Sequence, residues 1–460
     1  MIANRSSERA AGPQGQSRRE TLLPTSRERW LVLSYWAGVD GMACSYHIDD
    51  RLPHLRAAGI EVETLTSILG RRPKGTDGAW HRIPSINPSG YRFEARRVAR
   101  ELPGPWGGIL KPLLTLPVLP LYALEKRLIN LDSTFWWWVP AGFVGIWVAG
   151  RRRPDLLYST GGAPNAHAAA ALIAWVRRVP WIAEIQDPLI YQGIGRGVLA
   201  DRLLRRFERL IHERADGVVY VTQTARARAV RRAGQGADCI AIYPGGERRT
   251  GARARVTGQE MRIAHLGTLG DSRNPSVLLD ALARLVARRP EARRKVRLWL
   301  VGSTDKPSRE KVRRFPFPEM LEAPGKVSRR EALDLMAGCD LLLVIQNRDR
   351  VSEETIPSKT YEYLASGRAV LGLVHRNPEL VELLRAAGHK AVEGEDVEAV
   401  TEALEDSYDR WRRNALGGQS FEKHSPARAA GQLIAWSRSL RQGATSSPGS
   451  TRGRKVGPDE

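Results

Sequence analysis

The sequence predicts an α/β protein made of two parallel sheets, each flanked by helices. Three observations carry this prediction. Short aliphatic or β-branched runs alternate with helical patterns in two separate series, which is typical of parallel α/β architecture. A stretch without periodicity, 247–260, lies between the two series. The chain has 460 residues, enough for two domains that each bury a core.

The first series begins with a predicted strand over Arg29–Trp36, which ends at a turn containing Gly38 and Gly41. A predicted helix around Ile48–Ala58 follows. The other strands predicted in this half are Ile60–Thr66, Asp155–Thr160, Pro180–Asp187, Asp216–Thr222 and Cys239–Gly246. Glycine permits the unusual φ and close backbone approach of a ligand-binding turn, and an ordinary turn explains the same pair.

The second series opens with a predicted strand over Met261–Thr268. Its other predicted strands are Val296–Gly302, Asp340–Gln346 and Ala369–Val374, with helices over Pro275–Arg288, Arg329–Ala337, Ser358–Ser366 and Pro378–Ala387. Open parallel sheets bind ligands at the carboxyl ends of their strands. Two such Rossmann-like domains, predicted at 27–246 and 261–420, therefore face a central cleft. A helix over 421–443 is expected to pack back on the first domain, and 1–26 and 444–460 are expected to be disordered tails.

The composition excludes several classes of protein. With 42% hydrophobic and 27% charged residues the chain is neither disordered nor collagenous. Its three cysteines lie far apart, which argues against a disulfide framework and a structural zinc site. The net charge of +22 would suit nucleic acid or an anionic membrane, but it is uneven: 30–248 carries +10 and 262–420 only +3.

One apolar stretch, Phe135–Gly150, could be mistaken for a membrane span. It has 16 residues and is interrupted by Pro140, whereas a span needs about 20 apolar residues. One interpretation is a buried helix under the sheet. The other is a partly exposed apolar ledge that, with the upstream stretch 110–127, dips into a membrane interface beside basic residues.

The most informative segment is Ser352–Gly367. Glu354 and Glu362 are separated by seven residues. Ser358 lies between them and is a candidate N-cap for the helix that carries Glu362. A helix N-terminus favours anions, so Lys359 in its first turn makes sense if a phosphate binds there. A nearby carboxylate could accept two hydrogen bonds from a ribose. Two solvated glutamates are the plainer explanation from the residues alone.

The run from Glu354 to Gly372 resembles the donor segment of GT-B glycosyltransferases of the retaining, family-four-like group. That resemblance implies that Glu362 holds the ribose of the nucleotide and that Glu354, a catalytic candidate, contacts the donor sugar. It also makes 27–246 an acceptor domain and 261–420 a donor domain. Ser358 and Lys359 would then bind the donor.

Weaker resemblances extend over most of the chain. His265–Leu282 resembles the first strand and loop of the donor domain, where Gly267 lies and where Arg273 is the nearest candidate for the diphosphate; the Lys-Gly usual later in the family is absent. The next strand ends at Gly302, and the loop with Gly38 and Gly41 resembles the family's N-terminal glycine-rich loop near donor phosphate and acceptor.

Two further segments resemble the acceptor loops of the same family. They imply that His167 and Asp187 face the cleft as catalytic candidates. Taken alone, His167 would more often be a histidine on a helix surface, and Asp187, which precedes a proline, could be a turn residue.

The sequence thus predicts a hexosyltransferase-type enzyme that moves sugar from a nucleoside-diphosphate sugar to a hydroxyl on a sugar or lipid-linked acceptor, in cell-surface polysaccharide or glycolipid synthesis. No acidic metal-binding pair is apparent in a loop, so no essential metal and no cofactor are expected. We expect a cytoplasmic enzyme, peripheral on the inner membrane face, with an anionic surface as partner. The alternatives are a GT-B-like nucleotide-sugar epimerase and a basic nucleic-acid-binding protein, although no nucleic-acid motif appears.

Overall fold

The computed structural model describes residues 27–73, 78–102, 104–190, 197–234, 236–247, 259–270, 272–418, 421 and 423–445. Two parallel sheets organise them. The tails predicted at 1–26 and 444–460, except the last turn of one helix, and most of the linker at 247–260 lie outside the described residues. The expected two-domain α/β architecture is confirmed.

The N-terminal sheet has seven strands in the order β3-β2-β1-β4-β5-β6-β7. They are β1 (Arg29–Leu33), β2 (Glu61–Ser67), β3 (Trp80–Ile83), β4 (Leu156–Gly161), β5 (Trp181–Ile185), β6 (Gly217–Tyr220) and β7 (Asp238–Ala241). The helices of this part are α1 (Ala43–Asp49), α2 (Leu52–Ala57), α3 (Pro88–Glu101), α4 (Trp106–Thr115), α5 (Leu119–Leu128), α6 (Trp138–Arg152), α7 (Asn165–Arg177), α8 (Val198–Arg214) and α9 (Gln223–Ala233).

The C-terminal sheet has six strands in the order β10-β9-β8-β11-β12-β13. They are β8 (Met261–Leu266), β9 (Val296–Val301), β10 (Leu321–Gly325), β11 (Leu341–Ile345), β12 (Ala369–Val374) and β13 (Lys390–Glu393). The helices are α10 (Ser276–Arg288), α11 (Ala292–Lys295), α12 (Lys306–Arg313), α13 (Arg329–Ala337), α14 (Lys359–Ser366), α15 (Pro378–Ala386), α16 (Val397–Arg412) and α17 (Pro426–Thr445).

Both sheets are covered by helices on their two faces, as all-parallel sheets require. One face of the N-terminal sheet packs on α6 and α7, and the other packs on α2 and α17. In α17, Ala429 and Leu433 are buried against Trp30 of β1, so the last helix of the chain lies on the first domain.

The helix predicted around Ile48–Ala58 is two helices, α1 and α2, with a break at Asp50 and Arg51. Pro53 explains the break because proline has no N–H to donate to the preceding turn and is favoured in the first turn of a new helix.

The apolar stretch from Phe135 divides its side chains between core and solvent. A short 3-10 turn precedes α6, whose small residues Gly142 and Gly145 approach α7 closely, while Phe143 and Trp147 are exposed. The interpretation as a buried helix therefore describes one face of α6. The other face is exposed, and its contact with a membrane stays a prediction.

Candidate active site

The two domains meet where the strands of both sheets end, and charged side chains cross the boundary. Arg329, at the start of α13, forms two hydrogen bonds with Asp50, at 2.8 and 2.6 Å. Glu379 of α15 accepts hydrogen bonds from the backbone N–H groups of Gln223 and Thr224 at the start of α9. A carboxylate at a helix N-terminus is favourable, so these contacts hold the domains together around the cleft.

Helix α14 carries the motif predicted to bind the donor, and buried tyrosines fix its position. Tyr363 is fully buried, and its hydroxyl accepts a hydrogen bond of 2.9 Å from the N–H of Leu266 at the end of β8. The prediction that the Ser358 side chain caps α14 is wrong. Ser358 precedes the helix but has helical dihedral angles and makes no capping hydrogen bond, because a capping side chain requires an extended residue.

Three basic side chains gather at the end of β8 beside the start of α14. The Lys359 ammonium lies 3.4 Å from Nε2 of His265, and neither group has a carboxylate within hydrogen-bond distance among the described residues. Burial, and then the charge of Arg273, holds the pKa of Lys359 well below its usual range. Burial also lowers the pKa of Arg273, whose Nε is buried without a partner.

His265 is the neutral member of this cation cluster, defined as Lys359, Arg273 and His265. Burial first and the Lys359 charge second lower its pKa well below the ordinary value, and its Nδ1 lies 3.0 Å from the carbonyl of Leu343. A positive charge that is partly withdrawn from water is unfavourable unless an anion lies near it. The arrangement is therefore chemically suited to an anion.

Glu362 lies on the same helix and contacts a residue that bridges the domains. Its carboxylate accepts a hydrogen bond of 3.0 Å from Arg329, which also holds Asp50 and stacks on the ring of Tyr46 with the guanidinium 4.0 Å from the centroid. Burial raises the pKa of Glu362, and the Arg329 charge opposes that rise. A ribose bound to Glu362 would thus lie beside the link between the two domains.

Glu354 contacts the N-terminal domain. Its Oε1 accepts a hydrogen bond of 3.1 Å from Arg228 of α9, and its carbonyl accepts one of 2.6 Å from the Thr222 hydroxyl. The other oxygen, Oε2, is buried without a hydrogen bond, with Arg232 at 3.8 Å. In this structure the carboxylate expected to contact a sugar belongs to an ion cluster between the domains.

On the N-terminal side, Asp187 follows β5 and lines a cavity of about 200 Å³ with Cys44, Asp132 and Gly162. The remaining wall is largely apolar and consists of Trp36, Leu131, Phe135, Ala163, Pro164, Leu189 and Leu204. Burial raises the pKa of the Asp187 carboxyl. A carboxyl group whose pKa is raised and which lines a small cavity is suited to exchange a proton with a ligand hydroxyl.

The predicted glycine-rich turn follows β1. Gly38 has φ of +71° and a Cβ there would lie 2.1 Å from the carbonyl oxygen of Arg71, so only glycine fits. Its N–H donates to Asp49. Gly41 also has a positive φ, and its N–H donates to the Tyr46 hydroxyl at 3.0 Å, which places the turn next to the ring that Arg329 covers.

Two family models match the chain in succession. The model described as glycosyl transferase 4-like domain covers 47–246, and the one described as glycosyl transferases group 1 covers 260–410. The chain belongs to the group 1 glycosyltransferases. It is a nucleotide-sugar-dependent transferase, and the boundary between the two matches falls within the segment that joins the two sheets. No curated protein matches it in sequence.

Solved structures share the GT-B fold of this glycosyltransferase. Trehalose-6-phosphate synthase OtsA superposes with a TM-score of 0.60 at 12% identity over 90% of this chain and 99% of its own. Anabaena HepE in complex with UDP superposes with a TM-score of 0.55 at 15% identity, over 91% of this chain and 98% of its own. A Listeria monocytogenes protein assigned as a UDP-N-acetylglucosamine 2-epimerase gives 0.54 at 12% over 91% and 98%. At these identities the likeness shows the fold.

The glycosyltransferase does not place His167 in its cleft, so that expectation is corrected. The imidazole is fully buried on α7, its Nδ1 lies 2.9 Å from Oγ of Ser159, and Trp181 donates to the same oxygen. Burial lowers the pKa of His167 to about 4. The alanines beside it let α7 pack tightly on the sheet, and the histidine lies in the core.

Sequence reasoning missed several residues of the glycosyltransferase cleft. Arg329 and Arg228 lie on helices whose sequences show only ordinary basic faces, so no local signal marks them. His265 could have been found because it precedes Gly267 at the end of a buried strand, where ligand-binding residues of parallel sheets lie.

Two glycines of the glycosyltransferase support the cation cluster, and their substitution should have different effects. A Cβ on Gly302 would lie 2.2 Å from the backbone oxygen of Gly267, whereas one on Gly267 would lie 2.0 Å from the flexible ammonium of Lys359. Both substitutions strain the backbone, because both glycines have a positive φ. We expect Gly302→Ala to lower the stability of the C-terminal domain by about 1–3 kcal/mol more than this strain does, because the new Cβ collides with backbone. Gly267→Ala should lower the stability only by the strain, and it should displace Lys359. Thermal unfolding measures both.

The matched control is Gly388→Ala, which has φ of +76° and open space around the new Cβ. It should reproduce the cost of a positive φ without any collision. Equal losses of stability in Gly302→Ala and Gly388→Ala would contradict the close approach of β8 and β9.

Proposed function

We propose that this glycosyltransferase transfers a sugar from a nucleoside-diphosphate sugar to a hydroxyl acceptor with retention at the anomeric carbon, in the synthesis of a cell-surface polysaccharide or glycolipid. One observation carries the donor assignment. The cation cluster of Lys359, Arg273 and His265 places two cations at the edge where a diphosphate would lie, with no carboxylate hydrogen-bonded to Lys359 and the Nε of Arg273 unpartnered among the described residues. Retention is what the family resemblance implies.

The chemistry follows from charge. When the glycosidic bond to the diphosphate breaks, negative charge grows on the phosphate oxygens. Lys359 and Arg273, fixed before the reaction, stabilise that charge without reorganisation. Glu362 accepts hydrogen bonds from the ribose, and Glu354 binds hydroxyls of the donor sugar after release from Arg228. Asp187 accepts the proton of the acceptor hydroxyl in the cavity it lines.

The acceptor assignment is supported by the walls of that cavity. Aromatic and aliphatic side chains dominate around Asp187 and Asp132, which suits a molecule with an apolar part as well as hydroxyls. We therefore favour a sugar carried on a lipid over a free sugar. We place the enzyme in the cytoplasm, on the inner face of the membrane, where the +10 of segment 30–248 meets anionic lipid.

We propose that transfer needs no resident metal or cofactor, because the cation cluster supplies the positive charge that a metal would otherwise bring to the diphosphate. Asp49 and Asp50 are occupied by other partners, the Gly38 N–H and Arg329. The described residues do bring His375, Glu393 and Glu395 together, but both glutamates are exposed.

Two other functions remain as alternatives to test. The epimerase alternative shares the fold, since one structural neighbour is assigned that activity. It predicts an altered free nucleotide sugar when donor is incubated without acceptor. The nucleic-acid alternative predicts tight, salt-dependent DNA binding. The two family matches favour transfer over both.

A panel of nucleotides and nucleotide sugars, measured by thermal shift, tests the donor site. HepE was solved with UDP and with UDP-glucose, so these are the first ligands to try. A ligand at 100 times its dissociation constant should stabilise the enzyme by about 2.7 kcal/mol. Glu362→Gln should remove most of that gain by losing a ribose contact.

The control for this prediction is Glu402→Gln, an exposed glutamate on α16. It should keep the full shift. If no nucleotide or nucleotide sugar raises the unfolding temperature, or if Glu362→Gln behaves as Glu402→Gln does, the donor assignment is wrong.

A further inference from the structure

Helices α4 and α5 form an apolar hairpin, defined as residues Trp106–Leu128, whose side chains lie mostly in solvent. Thr115 is its one buried residue, and α5 has none. Its large exposed apolar side chains are Trp106, Ile109, Leu113, Leu116, Leu119, Leu121, Leu124 and Leu128. Two helices that turn this much apolar surface outward are not stabilised by the core of their own domain.

The distribution of such side chains over the molecule is uneven. In the part of the chain that the structure describes, all large exposed hydrophobic residues lie between Ile86 and Val230, and none in the C-terminal domain. The hairpin holds the densest group. Its surface is therefore not the ordinary scatter of exposed apolar residues on a protein.

The exposed charged residues of the hairpin, Lys111 and Arg127, are both positive. Between Glu101 and Glu125 the only charged residue is Lys111, which is exposed. Glu125 turns inward, where it accepts hydrogen bonds from Asn87 and Ser89 at the start of α3 and so clamps the hairpin to the domain. Arg92 of α3 covers the ring of Tyr122 at 4.8 Å.

The hairpin is suited to lie in an interface and not to cross it. Among the described helices none is long and apolar enough to span a bilayer alone, and α4 and α5 meet the length and composition test only together, with a bend of 57°. Apolar helices with cationic flanks bind in the plane between headgroups and acyl chains.

We propose that the apolar hairpin inserts into the headgroup–acyl boundary of an anionic lipid bilayer. The occupant is lipid because the surface combines unpartnered apolar side chains with the exposed positive charges of Lys111 and Arg127, while its one acidic residue, Glu125, turns inward. The chain leaves α5 at Leu128 and reaches the cavity of Asp187 at Leu131, three residues later. Insertion therefore fixes that cavity close to the membrane surface. The proposal rests on the membrane placement in the proposed function and adds the element that inserts; its test requires no donor or acceptor, so it can fail while the transferase assignment stands.

Flotation with vesicles of phosphatidylglycerol and phosphatidylcholine tests it on the full chain. The hairpin variant is Trp106→Glu with Leu113→Glu. The control variant is Phe143→Glu with Trp175→Glu, on α6 and α7. The replaced side chains are equally exposed: Trp106 and Leu113 at 66% each, Phe143 at 66% and Trp175 at 69%. Both variants add the same charge to exposed positions, so both should unfold at the wild-type temperature.

We expect the hairpin variant to bind vesicles at least about tenfold more weakly than wild type, and the control variant to bind as wild type does. Wild-type binding should persist at about 1 M salt, where charges are screened within about 3 Å. Binding that disappears at that salt concentration would assign the contact to the basic surface of α8 alone and overturn insertion.

Three further results would overturn the proposal. The hairpin variant could float like wild type, or both variants could lose binding equally. Sedimentation without lipid could also show a dimer that the hairpin variant converts to a monomer, which would make a second copy the occupant. If the hairpin variant fails to fold, a fluorophore on Leu113→Cys, compared with one on Phe143→Cys and with the unsubstituted chain, should report an apolar environment on vesicles.

Discussion

Replacing Lys359 with methionine is expected to lower kcat/KM by about 10²–10³-fold, the usual effect of removing one preorganised group that stabilises transition-state charge. Methionine keeps the length and most of the volume of the side chain but carries no charge. The Lys359 ammonium lies 3.4 Å from His265 and has no acidic partner within hydrogen-bond distance in the described structure, so no other group competes with the diphosphate for it. Steady-state kinetics with the donor identified by thermal shift provides the measurement.

The same variant should be more stable without ligand. The folded-state pKa of Lys359 is lowered, so the ammonium costs stability that is fully present below the folded pKa and is recovered as the pH rises toward about 10.4. Methionine removes this cost. We therefore expect a higher unfolding temperature near neutral pH and a smaller shift on adding UDP.

The control is Lys390→Met on β13, where the lysine is half exposed and 3.4 Å from Asp406. It should leave both activity and the UDP shift unchanged. A Lys359→Met enzyme that is less stable than wild type but still responds fully to UDP would mean that the lysine is a structural residue.

Glu184→Ala is expected to destabilise the N-terminal domain by about 3–5 kcal/mol, because it leaves Arg51 charged and buried without its partner. Both side chains are almost fully buried, at 1% and 0% exposed, and the carboxylate also accepts hydrogen bonds from Tyr158 and Thr160. Burial alone would raise the pKa of Glu184, but the Arg51 charge and the hydrogen bonds from Tyr158 and Arg51 hold it below its usual range.

Glu101→Ala provides the matched control, since it breaks an Arg–Glu pair with Arg71 whose side chains are 75% and 53% exposed. Exposed pairs contribute about 0–1 kcal/mol. Each kcal/mol should lower the unfolding temperature by about 2–4 °C in a domain of this size. Equal shifts for Glu184→Ala and Glu101→Ala would show that Arg51 finds another partner or water.

The uneven charge of the chain has a structural counterpart. In the C-terminal domain, arginines of α10 pair with acidic residues of α16, for example Arg288 with Glu398 and Arg289 with Glu405. In α8 the arginines lie along one groove, lined by Arg202, Arg205, Arg206, Arg209 and Arg214 together with Leu210 and Glu213. The excess positive charge of the first half therefore includes a concentrated surface of the kind that attracts anionic lipid.

The strands that sequence reasoning missed are edge strands. It predicted the central strands of both sheets, but not β3, β10 and β13, each of which lies at the end of its sheet. Their side chains are mostly exposed or half exposed. An edge strand buries little, so it needs no apolar run and leaves no periodic pattern to detect.

By itself the sequence determined the two-sheet architecture and the position of the donor motif. Both depend on local patterns: apolar runs that must be buried, and glutamates at a fixed spacing around a helix start. The tertiary structure decided which partners those residues have. Glu354 contacts Arg228, which lies 126 positions away in the other domain, and Glu362 contacts Arg329 on a neighbouring helix of its own domain. His167 lies in the core because helix packing turns its side chain inward. No local pattern encodes such contacts.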